Sequence, residues 1–162
     1  VYVYKNGLMD GTGPAAFAPT TVLTRSMAAQ VLWNLADSPA VPGTAGFTDV
    51  PSDAWYAGAV NWSASRGIVT GYSTGAFGPE DAVTREQLAA MLYRYADVPE
   101  AGGTLDAFAD ADTVSAYAVD AMRWAAANGI VNGSHGRLNP QGNATRAQAA
   151  AMLMRFCEKM ER

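Results

Sequence analysis

Apolar positions recur with helical spacing in three stretches of the chain that share one layout. Each stretch follows a Thr-Arg pair, and its apolar side chains fall at positions i, i+3, i+4 and i+7. The spacing predicts three amphipathic helices, each with one face that packs into a core. The apolar faces consist of Ala28, Val31, Leu32 and Leu35; of Leu88, Met91, Leu92 and Tyr95; and of Ala149, Met152, Leu153 and Phe156.

A second helical pattern precedes two of these stretches. The sequences around Trp62 and Trp124 place apolar residues at the same relative positions, which predicts a helix of about three turns in each case. The loops before them are rich in aspartate and contain Asp49 and Asp110. We expect these carboxylates to cap the helices that follow.

Glycine and proline divide the chain into three similar units of about sixty residues. Each Thr-Arg pair is preceded by a Gly-x-x-x-Gly loop and then by an x-x-Pro element, in the same order every time. Two linkers rich in Pro and Gly, at 37–46 and 97–104, mark the boundaries between units. We therefore predict units at 1–43, 44–103 and 104–162. The first unit retains only VYVYKN of the opening section, so its first helix is predicted to be truncated or to lie upstream.

This organisation predicts an all-α fold. A pair of helices cannot bury two apolar faces alone, so the units are expected to pack against one another. Three units can close on themselves, and we predict a compact pseudo-threefold helical domain in preference to an open solenoid.

Composition excludes several classes of function. The net charge is −4 and basic residues form no run, which argues against nucleic acid or anionic lipid as the main partner. No run of 18 apolar residues occurs, so no insertion into a membrane is expected. Cys157 and His135 are the single residues of their types. We therefore expect no disulfide, no metal site and no cofactor, and we interpret His135 as an exposed loop residue.

The arginine that opens each Thr-Arg helix needs a separate explanation. Thr84 with Gln87, and Thr145 with Gln148, match the capping box, whereas Thr24 is expected to cap alone. An arginine at the first helical position faces the positive end of the helix dipole, at a cost of about 0.3–1 kcal/mol.

Two hypotheses account for Arg25, Arg85 and Arg146. In one, each arginine pairs with an acid of a neighbouring unit, such as Asp49 or Asp110. In the other, the guanidinium and free helix N–H groups converge on an external anion.

The ordered landmarks resemble those of the S-layer homology repeat. The likeness covers two full units and the later two-thirds of the first unit. In the second unit it rests on Phe47, Asp49, Val50, Trp55, Tyr56, Gly67, Gly71, Phe77, Pro79, Thr84 and Arg85. The family motif Thr-Arg-Ala-Glu loses its final acid here, where Met27, Gln87 and Gln148 stand instead.

The resemblance implies a non-catalytic, extracellular module that attaches surface proteins to the bacterial cell wall. Its implied ligand is a secondary cell wall polysaccharide, often ending in a pyruvylated amino sugar. The motif implies an anion-binding role for Arg25, Arg85 and Arg146. We extend the candidate site to Thr84, Thr145, Asp49 and Asp110, and to two aromatic residues that can stack on sugar, Trp55 and Tyr72.

An alternative function for the repeats is protein–protein assembly, with self-association, in a surface layer. A glycan-hydrolysing enzyme is the third class. It requires two carboxylates about 5–10 Å apart across a cleft. The acids of this chain are scattered over loops and caps, so no catalytic residue is predicted.

Overall fold

The computed structural model of the chain describes residues 6–9 and 18–161. Within them lie two short 3₁₀ turns, Ala111–Thr113 and Ala116–Ala118, and no β-strand, so the predicted all-α class is confirmed. The α-helices are α1 (Arg25–Leu35), α2 (Ala57–Ser65), α3 (Arg85–Tyr95), α4 (Val119–Ala127) and α5 (Arg146–Met160).

The three helices that follow Thr-Arg pairs begin as predicted. Thr24, Thr84 and Thr145 have extended backbone, and the hydroxyl oxygen of each accepts a hydrogen bond from the amide three residues later. At Thr84 and Thr145 the glutamine side chain also bonds back to the threonine amide, which completes the capping box.

Backbone hydrogen bonds tie the segments before these helices into a closed ring. The amide of Leu23 donates to the carbonyl of Ala144 (2.8 Å), and the amide of Ala144 donates to the carbonyl of Val83 (2.9 Å). The amide of Val83 donates to the carbonyl of Leu23 (2.9 Å), which closes the ring. Because each segment donates to one neighbour and accepts from the other, the arrangement closes after three members, as the pseudo-threefold prediction requires.

Helices pair across the predicted unit boundaries. Helix α1 packs against α2, and α3 packs against α4. Gly58 of α2 approaches α1 so closely that a Cβ at this position would lie 3.1 Å from the Trp33 ring. The units therefore interlock, with the second helix of one against the first helix of the next. Their boundaries after residues 43 and 103 remain a prediction.

The predicted apolar faces form one core. Leu32, Leu92 and Leu153 occupy equivalent turns of α1, α3 and α5 and are at most 1% exposed. Aromatic rings join the helices around them: the Phe156 ring lies 5.8 Å from that of Tyr95, centroid to centroid.

The capping role predicted for Asp49 and Asp110 is wrong. Helices α2 and α4 begin without a side-chain cap. Asp49 instead accepts hydrogen bonds from the consecutive amides of Phe77 and Gly78, at 2.7 and 2.8 Å. Asp110 binds the corresponding pair in the third unit. Two adjacent amides in a tight loop need acceptors, and one carboxylate serves both.

Part of the first unit lies outside the described residues. This applies to most of VYVYKN, on which the predicted truncation of the first helix rests, and to parts of the Gly-x-x-x-Gly and x-x-Pro elements. Within the described portion, Leu8 and Met9 are buried.

Candidate functional site

Each Thr-Arg helix starts against the x-x-Pro loop of another unit, and we call each such contact a seam, named after its arginine. In the Arg25 seam, the amide of Arg25 donates to the carbonyl of Asp81 (2.8 Å). The next amide, that of Ser26, donates to the carbonyl of Pro79 (3.1 Å). The same pair of bonds recurs in the Arg85 and Arg146 seams.

These bonds correct the hypothesis of free helix amides. The first two amides of each helix bind the neighbouring loop, and the third binds the capping threonine. The donors that a helix start usually offers to an anion are therefore used within the protein. An external anion at a seam must be met by side chains.

Arg25 is held by the loop of the second unit. Its Nε donates to the carbonyl of Phe77 and its Nη2 to the carbonyl of Thr70, both at 2.9 Å. The guanidinium carbon lies 4.7 Å from the centroid of the Phe77 ring and 5.0 Å from that of Tyr72. Such cation–π contacts stabilise by about 0.5–2 kcal/mol each. Two carbonyls and two rings thus surround this cation.

Tyr72 lies across Arg25 and is fixed there by Asp81. The Tyr72 hydroxyl donates to Oδ2 of Asp81 at 2.7 Å. Burial raises the pKa of Tyr72, and the bond to the Asp81 carboxylate raises it further, against the opposing effect of Arg25. Gly78 has a φ of 72°, and a Cβ there would collide with both Tyr72 and Asp81. A glycine is therefore required for these side chains to meet.

Arg85 starts an equivalent helix and is half-buried, as Arg25 is, but its contacts differ. Its Nη2 donates to Oε1 of Gln148 at 2.7 Å, and its Nη1 donates to the carbonyl of Asn139 at 3.4 Å. The position that corresponds to Asp81 is Gly142, where a Cβ would collide with the Arg85 guanidinium. The position that corresponds to Tyr72 is Ser134. Arg85 therefore extends over a loop that lacks counterparts of the Tyr72 ring and the Asp81 carboxylate.

A groove of about 670 Å³ opens beside Arg85, between the second and third units. Ligand sites commonly have volumes of about 300–1,000 Å³. Three arginines line it, Arg85, Arg137 and Arg155, and Asp110 is the one carboxylate among the described residues of its wall. Apolar side chains complete the lining: Ile130, Val131, Leu138, Ala151 and Met152. The groove thus combines an excess of positive charge with an apolar surface in a protein of negative net charge.

Asp110 supports the wall of this groove. It is 8% exposed and accepts hydrogen bonds from the amides of Leu138 and Asn139, both at 2.8 Å. The bond from Leu138 is the main cause that lowers the pKa of Asp110; that from Asn139 adds to it, and together they outweigh the opposing effect of burial. The carboxylate stays ionised at neutral pH, with both oxygens engaged by the loop.

The Arg146 seam differs from the other two. Arg146 is only 6% exposed, and its Nη1 lies 3.8 Å from the sulfur of Met27. Met27 occupies the position of Gln148 in the third unit. In the Arg85 and Arg146 seams, the side chain at the final motif position therefore contacts the arginine of another unit.

No ion pair of Arg25 or Arg85 occurs among the described residues, so the ion-pair hypothesis is wrong for these two. Arg25 instead contacts the loop that Asp49 organises. Burial raises the pKa of Asp49, but the amides of Phe77 and Gly78 and the charge of Arg25 together lower it below its ordinary value.

Glu86 joins the second and third units beside the Arg85 seam, and sequence reasoning missed it. Its side chain accepts hydrogen bonds from the amide (3.0 Å) and hydroxyl (2.6 Å) of Ser115. The side-chain amide of Gln141 donates to it as well (3.2 Å). The residue is 4% exposed, and its place in the first turn of α3 favours a negative charge.

The remaining predicted site residues are dispersed. Trp55 is 60% exposed and packs edge-on against Tyr56, with ring centroids 5.2 Å apart. The hydroxyl oxygens of Thr84 and Thr145 accept capping bonds. The structure therefore brings Arg85 together with Asp110, and Arg25 with Tyr72. A ligand role remains a prediction for all of the predicted site residues.

Three basic residues of the groove were not among the predicted contacts: Arg137, Arg155 and His135. His135 is exposed, as expected, with its Nδ1 3.0 Å from the Ser134 hydroxyl. A signal for Arg137 was present, because the corresponding residue of the second unit is Ala76. Aligning the second and third units and searching for positions where they differ would have identified Arg137.

A metal site or a catalytic pair needs several acidic or metal-binding side chains in one place. Among the described residues, no group of three or more His, Cys, Asp or Glu side chains is placed to hold a metal ion. The described wall of the groove has one carboxylate, whereas a glycosidase requires two facing each other.

The family model of the S-layer homology domain matches residues 46–89 and 107–150. The chain belongs to this family. The two matches fall in the second and third units, which form the Arg85 seam and its groove. The assignment of the first unit as a further repeat remains a prediction.

Several relatives support the family assignment. The chain is 33% identical over 159 residues to the surface-layer 125 kDa protein of Lysinibacillus sphaericus, covering 96% of this chain and 13% of that protein. It is 31% identical over 157 residues to the amylopullulanase of Thermoanaerobacterium thermosulfurigenes, covering 94% of this chain and 8% of the enzyme. S-layer protein EA1 of Bacillus anthracis shows 30% identity over 120 residues, which is 72% of this chain and 14% of that protein.

The chain thus spans about a tenth of the length of the first two relatives. Surface-layer proteins and an enzyme share the same module. The family membership places the chain at the cell surface, in contact with the wall. None of the helices in the described part combines the length and apolar character needed to cross a bilayer.

Proposed function

We propose that this module anchors a larger surface protein to the cell wall by binding an anionic wall polysaccharide in the Arg85 groove. The observation that carries the proposal is the excess of arginine in an open groove at the junction of the two matched repeats. The module itself is proposed to be non-catalytic. Its relatives suggest a surface-layer protein or an enzyme as the cargo.

Arg85 is the proposed primary contact. The side chain that receives its hydrogen bond, Gln148, is neutral, so the charge of the guanidinium is left uncompensated there. Its Nε is free of any partner within the described residues. A carboxylate on a sugar, such as a pyruvate ketal, can accept a charge-assisted bond from it. The apolar wall formed by Val131 and Met152 suits the less polar face of a sugar ring.

The proposal is tested by cosedimentation with purified wall sacculi from a bacterium whose wall polymer carries pyruvylated amino sugars. We expect the wild-type protein and Arg66→Ala to pellet with the sacculi, and Arg85→Ala to remain in solution. Arg66 is a matched control, since it is an exposed arginine outside the groove lining. Sacculi stripped of the polymer should bind none of the proteins.

Binding that survives removal of the polymer, or that Arg85→Ala retains, contradicts the proposed mechanism. Sedimentation equilibrium without glycan examines the alternative of protein–protein assembly. Stable oligomers that persist in Arg85→Ala would favour that alternative.

A further inference from the structure

We propose that Tyr72 and Asp81 form a latch that keeps an anionic ligand away from Arg25, so that the module takes its wall ligand in the Arg85 groove alone. This inference rests on the proposed function for the identity of the ligand. The shielding of Arg25, however, can be measured without any ligand.

The geometry of the Arg25 seam carries the argument. A ligand carboxylate approaching Arg25 meets the Tyr72 ring, which lies 5.0 Å from the guanidinium carbon. To displace the ring it must break the 2.7 Å bond from Tyr72 to Asp81. The released Asp81 carboxylate would then repel the incoming anion. Backbone carbonyls already take two of the guanidinium donor groups, at 2.9 Å.

The Arg85 seam lacks both members of the latch. Ser134 stands in the place of Tyr72, and Gly142 in the place of Asp81. The missing side chain at Gly142 also provides the space that the Arg85 guanidinium occupies. The two loops differ elsewhere as well, but these two positions are the ones that supply the ring over Arg25 and the carboxylate that holds it. The latch pair is therefore the proposed determinant of ligand access.

The exchange of these residues between seams provides a reciprocal test. Tyr72→Ser with Asp81→Gly gives the Arg25 seam the residues of the open seam. Ser134→Tyr, alone and with Gly142→Asp, gives the Arg85 seam those of the closed one. Tyr72→Phe is the matched control that keeps the ring but removes the bond to Asp81. Circular dichroism identifies any variant that does not fold.

The ligand-free measurement is the rate of modification of each arginine by phenylglyoxal, followed by peptide mass spectrometry. Because opening the latch breaks a charge-assisted hydrogen bond, we expect Arg25 to react about tenfold more slowly than Arg85. Tyr72→Ser with Asp81→Gly should abolish this difference, and Tyr72→Phe should reduce it. Equal rates in the wild type, or rates that the double substitution leaves unchanged, overturn the latch.

The binding measurement is calorimetric titration with an N-acetylhexosamine that carries a pyruvate ketal. We expect one site in the wild type. Tyr72→Ser with Asp81→Gly should add a second site that survives Arg85→Ala, and Ser134→Tyr should weaken the first. Two sites in the wild type, or one in the double variant, contradict the latch. Absence of binding to the wild type argues against the proposed ligand, and the phenylglyoxal rates then still decide whether the latch exists.

Discussion

The Arg25 and Arg85 seams start from the same motif and differ in what their arginines contact. Arg25 lies against two aromatic rings and donates to two backbone carbonyls. Arg85 donates most closely to the neutral side chain of Gln148 and faces an open groove. A repeated motif therefore conserves the position of a functional group without conserving its availability, because the covering side chains belong to the neighbouring unit.

The arginine also has a different role in each of the two seams. At the Arg25 seam the guanidinium stabilises the contact between units, which is a structural use. At the Arg85 seam the same contact is secured by Glu86 and its bonds to Ser115, so the arginine is available for a ligand. Four predictions examine this division of roles, in order of decreasing expected effect.

Glu86→Ala is expected to cost the most stability. It leaves the half-buried amide of Ser115 and the side chain of Gln141 without their shared acceptor, and we expect a loss of about 3 kcal/mol in the free energy of unfolding. Urea denaturation measures it. Ser26→Ala, at the corresponding position of the Arg25 seam, is the control and should cost less. A loss no larger than that of the control would show that Glu86 does not secure the seam.

Arg25→Ala should lower the free energy of unfolding by about 2 kcal/mol, because it removes two hydrogen bonds and two cation–π contacts. Arg85→Ala should cost only about 0.5 kcal/mol, since both of its hydrogen bonds are exposed and, among the described residues, no aromatic ring packs on its guanidinium. The same denaturation measurement applies, together with sacculus binding. Equal losses for the two substitutions would remove the structural distinction between the seams.

Removal of a capping hydroxyl should have a smaller effect that is similar at both matched repeats. We expect Thr84→Ala and Thr145→Ala each to cost about 1 kcal/mol in the free energy of unfolding. Thr84→Ser and Thr145→Ser preserve the acceptor and serve as controls. If these threonines contact the ligand, the alanine variants will lose binding to sacculi even where they remain fully folded.

Lowering the pH should remove the stabilisation that Asp110 gives to the loop that lines the groove. Its pKa is lowered below the ordinary value of 3.8 in the folded protein, so its stabilising effect is complete above that value. The effect is lost as the pH falls through the lower folded pKa. We expect the stability difference between wild type and Asp110→Asn to be constant near neutral pH and to shrink below about pH 4. Thermal unfolding at several pH values measures it, and a difference independent of pH would contradict this assignment.

Much of the fold was accessible from sequence because its signals are local. The Thr-x-x-Gln pattern sets the helix start within four residues, and helical periodicity identifies the buried face. The aspartates of the Phe-x-Asp segment show where this reasoning stops. Asp49 is close in sequence to α2, yet it binds amides 28 and 29 positions away. Proximity in sequence suggested a helix cap, whereas in the fold the carboxylate accepts hydrogen bonds from two loop amides of the same unit.

The candidate site was predictable only in outline. The motif indicated the three arginines and the seams between units, but it also suggested free helix amides, which the closed ring of loop contacts uses. The groove residues Arg137 and Arg155 lie outside the Thr-Arg motif, and only the difference between Arg137 and Ala76 marked either of them. Their positive charges matter because folding brings them beside Arg85, and no local pattern records that arrangement.

The sequence by itself determined the helices that follow Thr-Arg pairs and their starting residues, since these depend on side chains only a few positions apart, and its ordered landmarks indicated the family. Tertiary structure alone decided what surrounds each arginine. The partners of Arg25 lie 45 and 52 positions along the chain, and Gln148 lies 63 positions from Arg85. Whether a guanidinium is covered or open depends on such distant neighbours, because charge and access are properties of the assembled surface.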